Sequence, residues 1–237
     1  MGEIIRAGAA REDIIKDART TLEKASVRDD AWKLPAEERL GTVLTLVDSL
    51  EVERKALEIT AGPLTAAVDK QNGAADLVLV REVESLFDKG GRRRNDPLLA
   101  VLAPGGAAAY TDGPTDEQPL RMKLFAKLLK KVGHKRIAKA ETDAASDRVT
   151  AAVVPLAAAI DAAKEPVAEL ALVDRTITAL AKLLRMELVG LKQGWKSAGF
   201  SEAEIHEVIP DSPSAKKPDN AGGTGVTVPG STGGATI

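Results

Sequence analysis

Few residues in this chain could do chemistry. There are two histidines, one tyrosine and no cysteine, so disulfides, thiolate metal sites and cysteine nucleophiles are excluded. The segment EAEIHE, Glu202 to Glu207, places Glu202 and His206 on one helix face. It is neither the HExxH of zinc proteases nor the paired ExxH of di-iron bundles, and it reads as an exposed ion pair on a terminal helix. His134 follows Gly133 among lysines, where a cation complements the end of a helix.

The stretch APGGAAAY, Ala103 to Tyr110, invites comparison with phosphate-cradling loops, because glycines let backbone N–H groups approach an anion. It lacks both GxxxxGKS/T and GxGxxG, and no parallel strand precedes it. Gly190 and Gly194 form a GxxxG pattern, which on a soluble helix permits close contact or a local bend. No catalytic residue, cofactor or metal site is assigned, and an enzyme of unknown class is the third-ranked reading.

The strongest charge signal is basic. Between Pro119 and Ala140 stand Arg121, Lys123, Lys127, Lys130, Lys131, Lys135, Arg136 and Lys139, with no acid among them. Helical geometry puts Lys123, Lys127, Lys130 and Lys131 on one face and Leu124, Phe125, Leu128, Leu129 and Val132 on the other. Arg92, Arg93 and Arg94 open the irregular stretch that leads to this helix, and Tyr110 is the expected ordered anchor of that stretch. These cations form the candidate interaction or anion-binding surface, suited to phosphates, anionic headgroups or an acidic protein. The competing reading is internal neutralisation, since residues 1–90 carry 18 acids against 13 bases. Scarce aromatics weigh against stacking on single-stranded nucleic acid.

The elements that must position these side chains are helical. Hydrophobic residues make up 44% of the 237, yet aromatics only 3%, as suits closely packed helices. Apolar residues recur at helical spacing from about Ala9 to Asp30. Pro35 with Glu37 and Glu38 reads as a helix start. A stripe through Leu40, Val43, Leu44, Val47, Leu50 and Leu57 follows, with a kink or break expected at Gly62-Pro63 and a new helix after Asn72-Gly73, closed by Gly90-Gly91. Residues 90–114 read as irregular, with one helical turn after Asp96-Pro97. Thr115 is the expected N-cap of a helix running to Val132, and an Ala-rich helix spans about Lys135 to Ala163. The last long helix, Val167 to Ser197, carries Leu170, Val173, Ile177, Leu180, Leu184, Leu188, Leu191 and Trp195 at alternating three and four. Ser201 with Glu204 is a capping box.

Two segments recur in order: PLTAAVD (63–69) with PLAAAID (155–161), and ADLVLV (75–80) with AELALV (168–173). The expectation is an all-α bundle of about six helices, built on a duplicated helical hairpin with copies 35–89 and 119–198 joined by the loop 90–118. It occupies one domain, 1–210, with a disordered Gly/Pro/Ser/Thr-rich tail, 211–237. The N-terminal residues are not expected to act as a secretory leader, and no apolar run approaches a membrane span, so the protein is expected to be soluble and cytoplasmic. The expected function is a non-enzymatic interaction or scaffold protein, self-associating or binding a protein partner. A polyanion binder using 92–94 and 121–139 is the alternative.

Overall fold

The computed structural model of the chain describes residues 9–92 and 96–210, and for Leu98 the backbone alone. Arg93, Arg94 and the tail 211–237 lie outside the described residues. The chain is all-α: α1 Arg11–Ser26, α2 Asp30–Ala36, α3 Thr42–Lys89, α4 Pro97–Leu102, α5 Ala108–Thr111, α6 Gln118–Lys131, α7 Lys139–Ser197 and α8 Glu202–Val208. No strand occurs among the described residues. They fall into two compact units, 9–41 with 184–210, and 42–183.

Several expected breaks are absent. Helix α2 starts five residues before Pro35, because Asp29 caps it by accepting from the Ala31 N–H. Pro35 therefore lies inside the helix, followed by a π-helical turn, Glu37–Gly41, that runs on into α3. Helix α3 passes through Gly62-Pro63 and Asn72-Gly73, and α7 through Pro155 and Pro166. An interior proline costs ~3 kcal/mol and a glycine about 1. Each buried Val or Leu of a helix–helix seam returns about 1.5–3 kcal/mol, so a long partnered helix outweighs its local punctuation. The carbonyls that Pro63, Pro155 and Pro166 leave without an N–H belong to Ile59, Ala151 and Ala162, all exposed residues.

Copy 35–89 is accordingly not a hairpin, since α3 runs unbroken through it, whereas 119–198 spans α6, a turn and α7. Each repeated segment sits within one long helix, PLTAAVD and ADLVLV in α3, PLAAAID and AELALV in α7. Matched positions are not equivalently placed: Leu79 lies in the core, whereas Leu172 is 62% exposed.

In the 42–183 unit, α3 and α7 are antiparallel. Arg54 pairs with Asp174 at 2.8 Å, Glu82 with Arg148 at 2.6 and 2.8 Å, and Lys89 with Glu141. The partners move in opposite directions along the two helices at nearly equal pace, which fixes the register. Toward the α3 C-terminus the seam widens into a core of Leu79, Val83, Leu86, Met122, Phe125, Leu129, Val149, Val153 and Leu156. Helices α4, α5 and α6 supply its third side.

In the other unit, α1, α2, α8 and residues 184–197 of α7 bury Ile15, Ala18, Trp32, Leu40, Leu188, Leu191, Trp195 and Ile205. Trp32 meets Trp195 at 4.7 Å and Phe200 at 4.2 Å between ring centroids. Gly199, at φ +95°, ends α7 by turning the chain so that the Phe200 N–H donates to the Trp195 carbonyl and the Gly199 N–H to that of Lys196, which places Phe200 back on the helix it leaves. Ser201 and Glu204 then form the expected capping box.

Pro35 and Trp195 are chemically linked. Because Pro35 has no N–H, the Ala31 carbonyl one turn earlier loses its helical donor, and the Trp195 Nε1–H donates to it instead, at 3.3 Å. Trp195→Phe should destabilise the protein by about 1–2 kcal/mol in urea titration through this bond. In a Pro35→Ala background, where the helix supplies its own donor, the same change should cost less than half as much. An equal cost in both backgrounds would show that only ring volume matters.

Candidate functional site

The basic run divides by what each cation touches. Arg121 is a loop staple: its Nη2–H donates to the Pro114 carbonyl at 3.0 Å, Nε–H to Tyr110 at 3.4 Å, and Nη1–H to the Glu117 carboxylate at 3.2 Å. Its guanidinium lies so close to Gly113, at φ +114°, that a Cβ there would sit 3.1 Å from Nη1. Tyr110 is buried, donates its hydroxyl to the Leu102 carbonyl and packs on Phe125 at 4.9 Å. Burial pushes its phenol up from the ordinary value. Tyr110 and Arg121 thus hold the 102–121 connection against the core and present nothing for a ligand.

The remaining cations near the loop are largely paired. Arg92 sits just past α3, where Gly91 (φ +89°) and Arg92 (φ +52°) return N–H groups to Asp88 and Phe87. Its guanidinium meets Asp88 at 2.7 Å, and that hydrogen bond holds its pKa above the usual arginine value. A groove of about 590 Å³ beside it is lined by Glu84, Asp88, Arg92, Phe87 and Gly106, so carboxylates outnumber the cation. The Gly106 N–H is used in a turn, donating to the Ala103 carbonyl. Lys130 pairs with Asp147 at 3.0 Å and Lys139 with Asp143. Arg136 extends over Gly91. The neutralising acids come from α7 and the ends of the loops as well as from the acidic first ninety residues.

Lys123, Lys127, Lys131 and Lys135 differ. All four are exposed, and none has an ion-pair partner among the described residues. The apolar face of α6 is also narrower than the sequence implies. Phe125 and Leu129 are buried and Leu128 and Val132 half-buried, but Leu124 is 53% exposed, and Leu120 stands out at 67%. Thr115 caps nothing; it opens a short 3-10 turn, and α6 begins at Gln118. The amide of Gln118 is buried and donates to Asp76 at 2.5 Å.

His134 forms a half-buried pair with Asp96, Nε2 to Oδ2 at 2.9 Å, while its Nδ1 accepts the Arg136 N–H at 3.1 Å. That backbone donor fixes the ring with its proton on Nε2. Both nitrogens are engaged, so the pair ties the 132–138 turn to the start of α4 instead of offering a base to a substrate. Glu202 meets Lys192 at 3.2 Å, Lys196, and His206 at 3.3 Å. Hydrogen bonds from Lys196 and then Lys192 lower its pKa to about 2. No group of three or more His, Asp or Glu side chains suited to a metal ion occurs among the described residues, and no helix there is long and apolar enough to cross a membrane.

A second exposed surface was not singled out by the sequence. On α3, the face opposite the α7 seam carries Val52, Ala56, Ile59, Pro63 and Ala66, alternating four and three residues apart. Every one is exposed, Val52 at 70% and Ile59 at 77%. The same periodicity that identified the Leu57 stripe is present in this second row; alanines and a proline masked it.

No protein-family model, curated protein or solved structure matches the chain.

Two predictions follow from these pairings. Arg121→Met should lower stability by about 1–3 kcal/mol, since it strands loop carbonyls, whereas Lys127→Met should stay within ~0.5 kcal/mol; urea titration distinguishes a staple from a solvated lysine. Glu202 has a folded pKa of about 2 against an ordinary 4.5, so the stability it contributes is complete above pH 4.5 and is lost as pH falls toward 2. Glu202→Gln should flatten the melting-temperature profile across that window, and an unchanged profile would remove Glu202 from the acid response.

Proposed function

We propose that this protein is a non-enzymatic helical interaction protein that self-associates through the outer face of α3. The observation that carries this reading is the row Val52, Ala56, Ile59, Pro63 and Ala66, an exposed apolar stripe on the back of a helix already partnered on its other side. A lone exposed leucine needs no explanation, but a contiguous helical row of apolar residues marks an interaction surface.

Most of the row is self-complementary about Ile59, the exception being Pro63, which faces Lys55 of the other copy. In an antiparallel pairing of two copies centred there, Val52 meets Ala66, Ala56 meets Gly62, and Ile59 meets its own mate. A Cβ built on Gly62 meets nothing within 4 Å, so the surface at that point is open to close approach. A two-fold interface of this kind uses one patch twice.

Light scattering coupled to gel filtration tests the reading. The chain should elute with about twice its 24.9 kDa mass and remain so at high salt. Ile59→Glu, which alters an exposed position, should return it to monomer with unchanged helix content. A strict monomer at all concentrations, or an assembly indifferent to Ile59→Glu, would overturn the proposal.

A further inference from the structure

The exposed face of α6 carries an inference independent of self-association. We propose that it docks on anionic phospholipid surfaces, with Lys123, Lys127 and Lys131 over the headgroups and Leu120 and Leu124 in the interfacial layer.

The three lysines recur every four residues, forming a row about 12 Å long at ~1.5 Å per residue, and none has an ion-pair partner among the described residues. Leu120 and Leu124 form a neighbouring row one turn apart, and both are more than half exposed. The opposite side of the helix, Met122, Phe125, Ala126 and Leu129, is buried in the core, so the helix is held rigidly and offers only this mixed face. Cations flanking protruding leucines match a surface that is anionic above and apolar just beneath.

Other anionic partners fit less well. Against nucleic acid the leucines would gain nothing, and the face has no aromatic or arginine to stack on bases. Helix-in-groove recognition uses apolar anchors at i, i+4 and i+7, and here the third position is Lys127, while Leu128 is half-buried. A bilayer requires no third anchor. Arg121 and Lys130 are spent on Glu117 and Asp147, which separates the lysines that can meet a membrane from those that cannot.

The test is co-sedimentation of the full chain with vesicles of phosphatidylcholine containing about 30% phosphatidylserine, and with vesicles of phosphatidylcholine alone, at about 0.1 M salt. Binding should require the anionic lipid. Each lysine near such a surface multiplies partitioning about fivefold, so Lys123→Gln with Lys127→Gln and Lys131→Gln should reduce it on the order of 100-fold. Leu120→Ser with Leu124→Ser should reduce it about 10-fold, since two partly inserted side chains are withdrawn. Circular dichroism and melting temperature should be unchanged in both variants, because every altered residue is exposed. Failure of the unaltered chain to bind the anionic vesicles would overturn the proposal, as would undiminished binding by the lysine variant. Retention on heparin together with vesicle binding unaffected by the leucine changes would make the face a general polyanion site and equally sink the lipid assignment.

Discussion

The 42–183 unit depends on one constraint, the register of α3 against α7. In proteins most helical stability comes from packing an apolar face, so α3 and α7 each depend on a partner along much of their length. Apolar seams alone tolerate sliding, because one Leu or Ala layer resembles the next. Charged pairs do not. Glu82, buried against α7, receives both Nε and Nη2 of Arg148, and a slip by one turn would leave that carboxylate buried without a partner, a much larger penalty than a mismatched alanine. Arg54 with Asp174 repeats the requirement farther along. The short helices α4 to α6 can then be placed only where the seam widens into Leu79, Val83, Val149 and Val153.

The other unit is organised by a missing hydrogen. Pro35 removes a donor from the interior of α2, and the carbonyl thereby released is the one that Trp195 reaches. A buried indole needs an acceptor, and a proline-released carbonyl needs a donor. Each defect answers the other. Around that bond Trp32, Trp195 and Phe200 gather three of the chain's few aromatic rings, with the Arg28 guanidinium 4.9 Å from the Trp32 ring centroid.

Those two arrangements explain what could be read in advance. The all-α class, the seam through Val173, Ile177, Leu184, Leu188, Leu191 and Trp195, and the Ser201–Glu204 cap follow from periodicity and local chemistry, and all are in the structure. The positions of the breaks were misjudged because Pro63, Gly73 and Pro166 act locally, while helix continuity is decided by the partner helix. The Ala31–Trp195 bond joins residues distant in sequence, and no local pattern signals it. On α6 the helical wheel placed Leu124 with the core, but a flat core contacts only part of a wheel, and Leu120 and Leu124 fall outside that arc.

The basic run illustrates why charge density alone locates a surface poorly. Eight cations between Pro119 and Ala140 look alike in sequence, yet their surroundings separate them. Arg121 has three acceptors in reach because the 110–117 segment folds back across it, and the carboxylates of Asp147 and Asp143 on α7 take up Lys130 and Lys139. Lys123, Lys127 and Lys131 lie on the side of α6 turned away from the buried Phe125 and Leu129, where no carboxylate of the described residues pairs with them. An exposed ion pair is worth little, ~0–1 kcal/mol, so leaving them unpaired costs the fold almost nothing. Their field is screened over a Debye length of roughly 10 Å at 0.1 M salt, which still lets an approaching anionic surface feel it before it meets Leu120 and Leu124. Attraction therefore precedes insertion, and the leucines set how long the contact lasts once the lysines have made it.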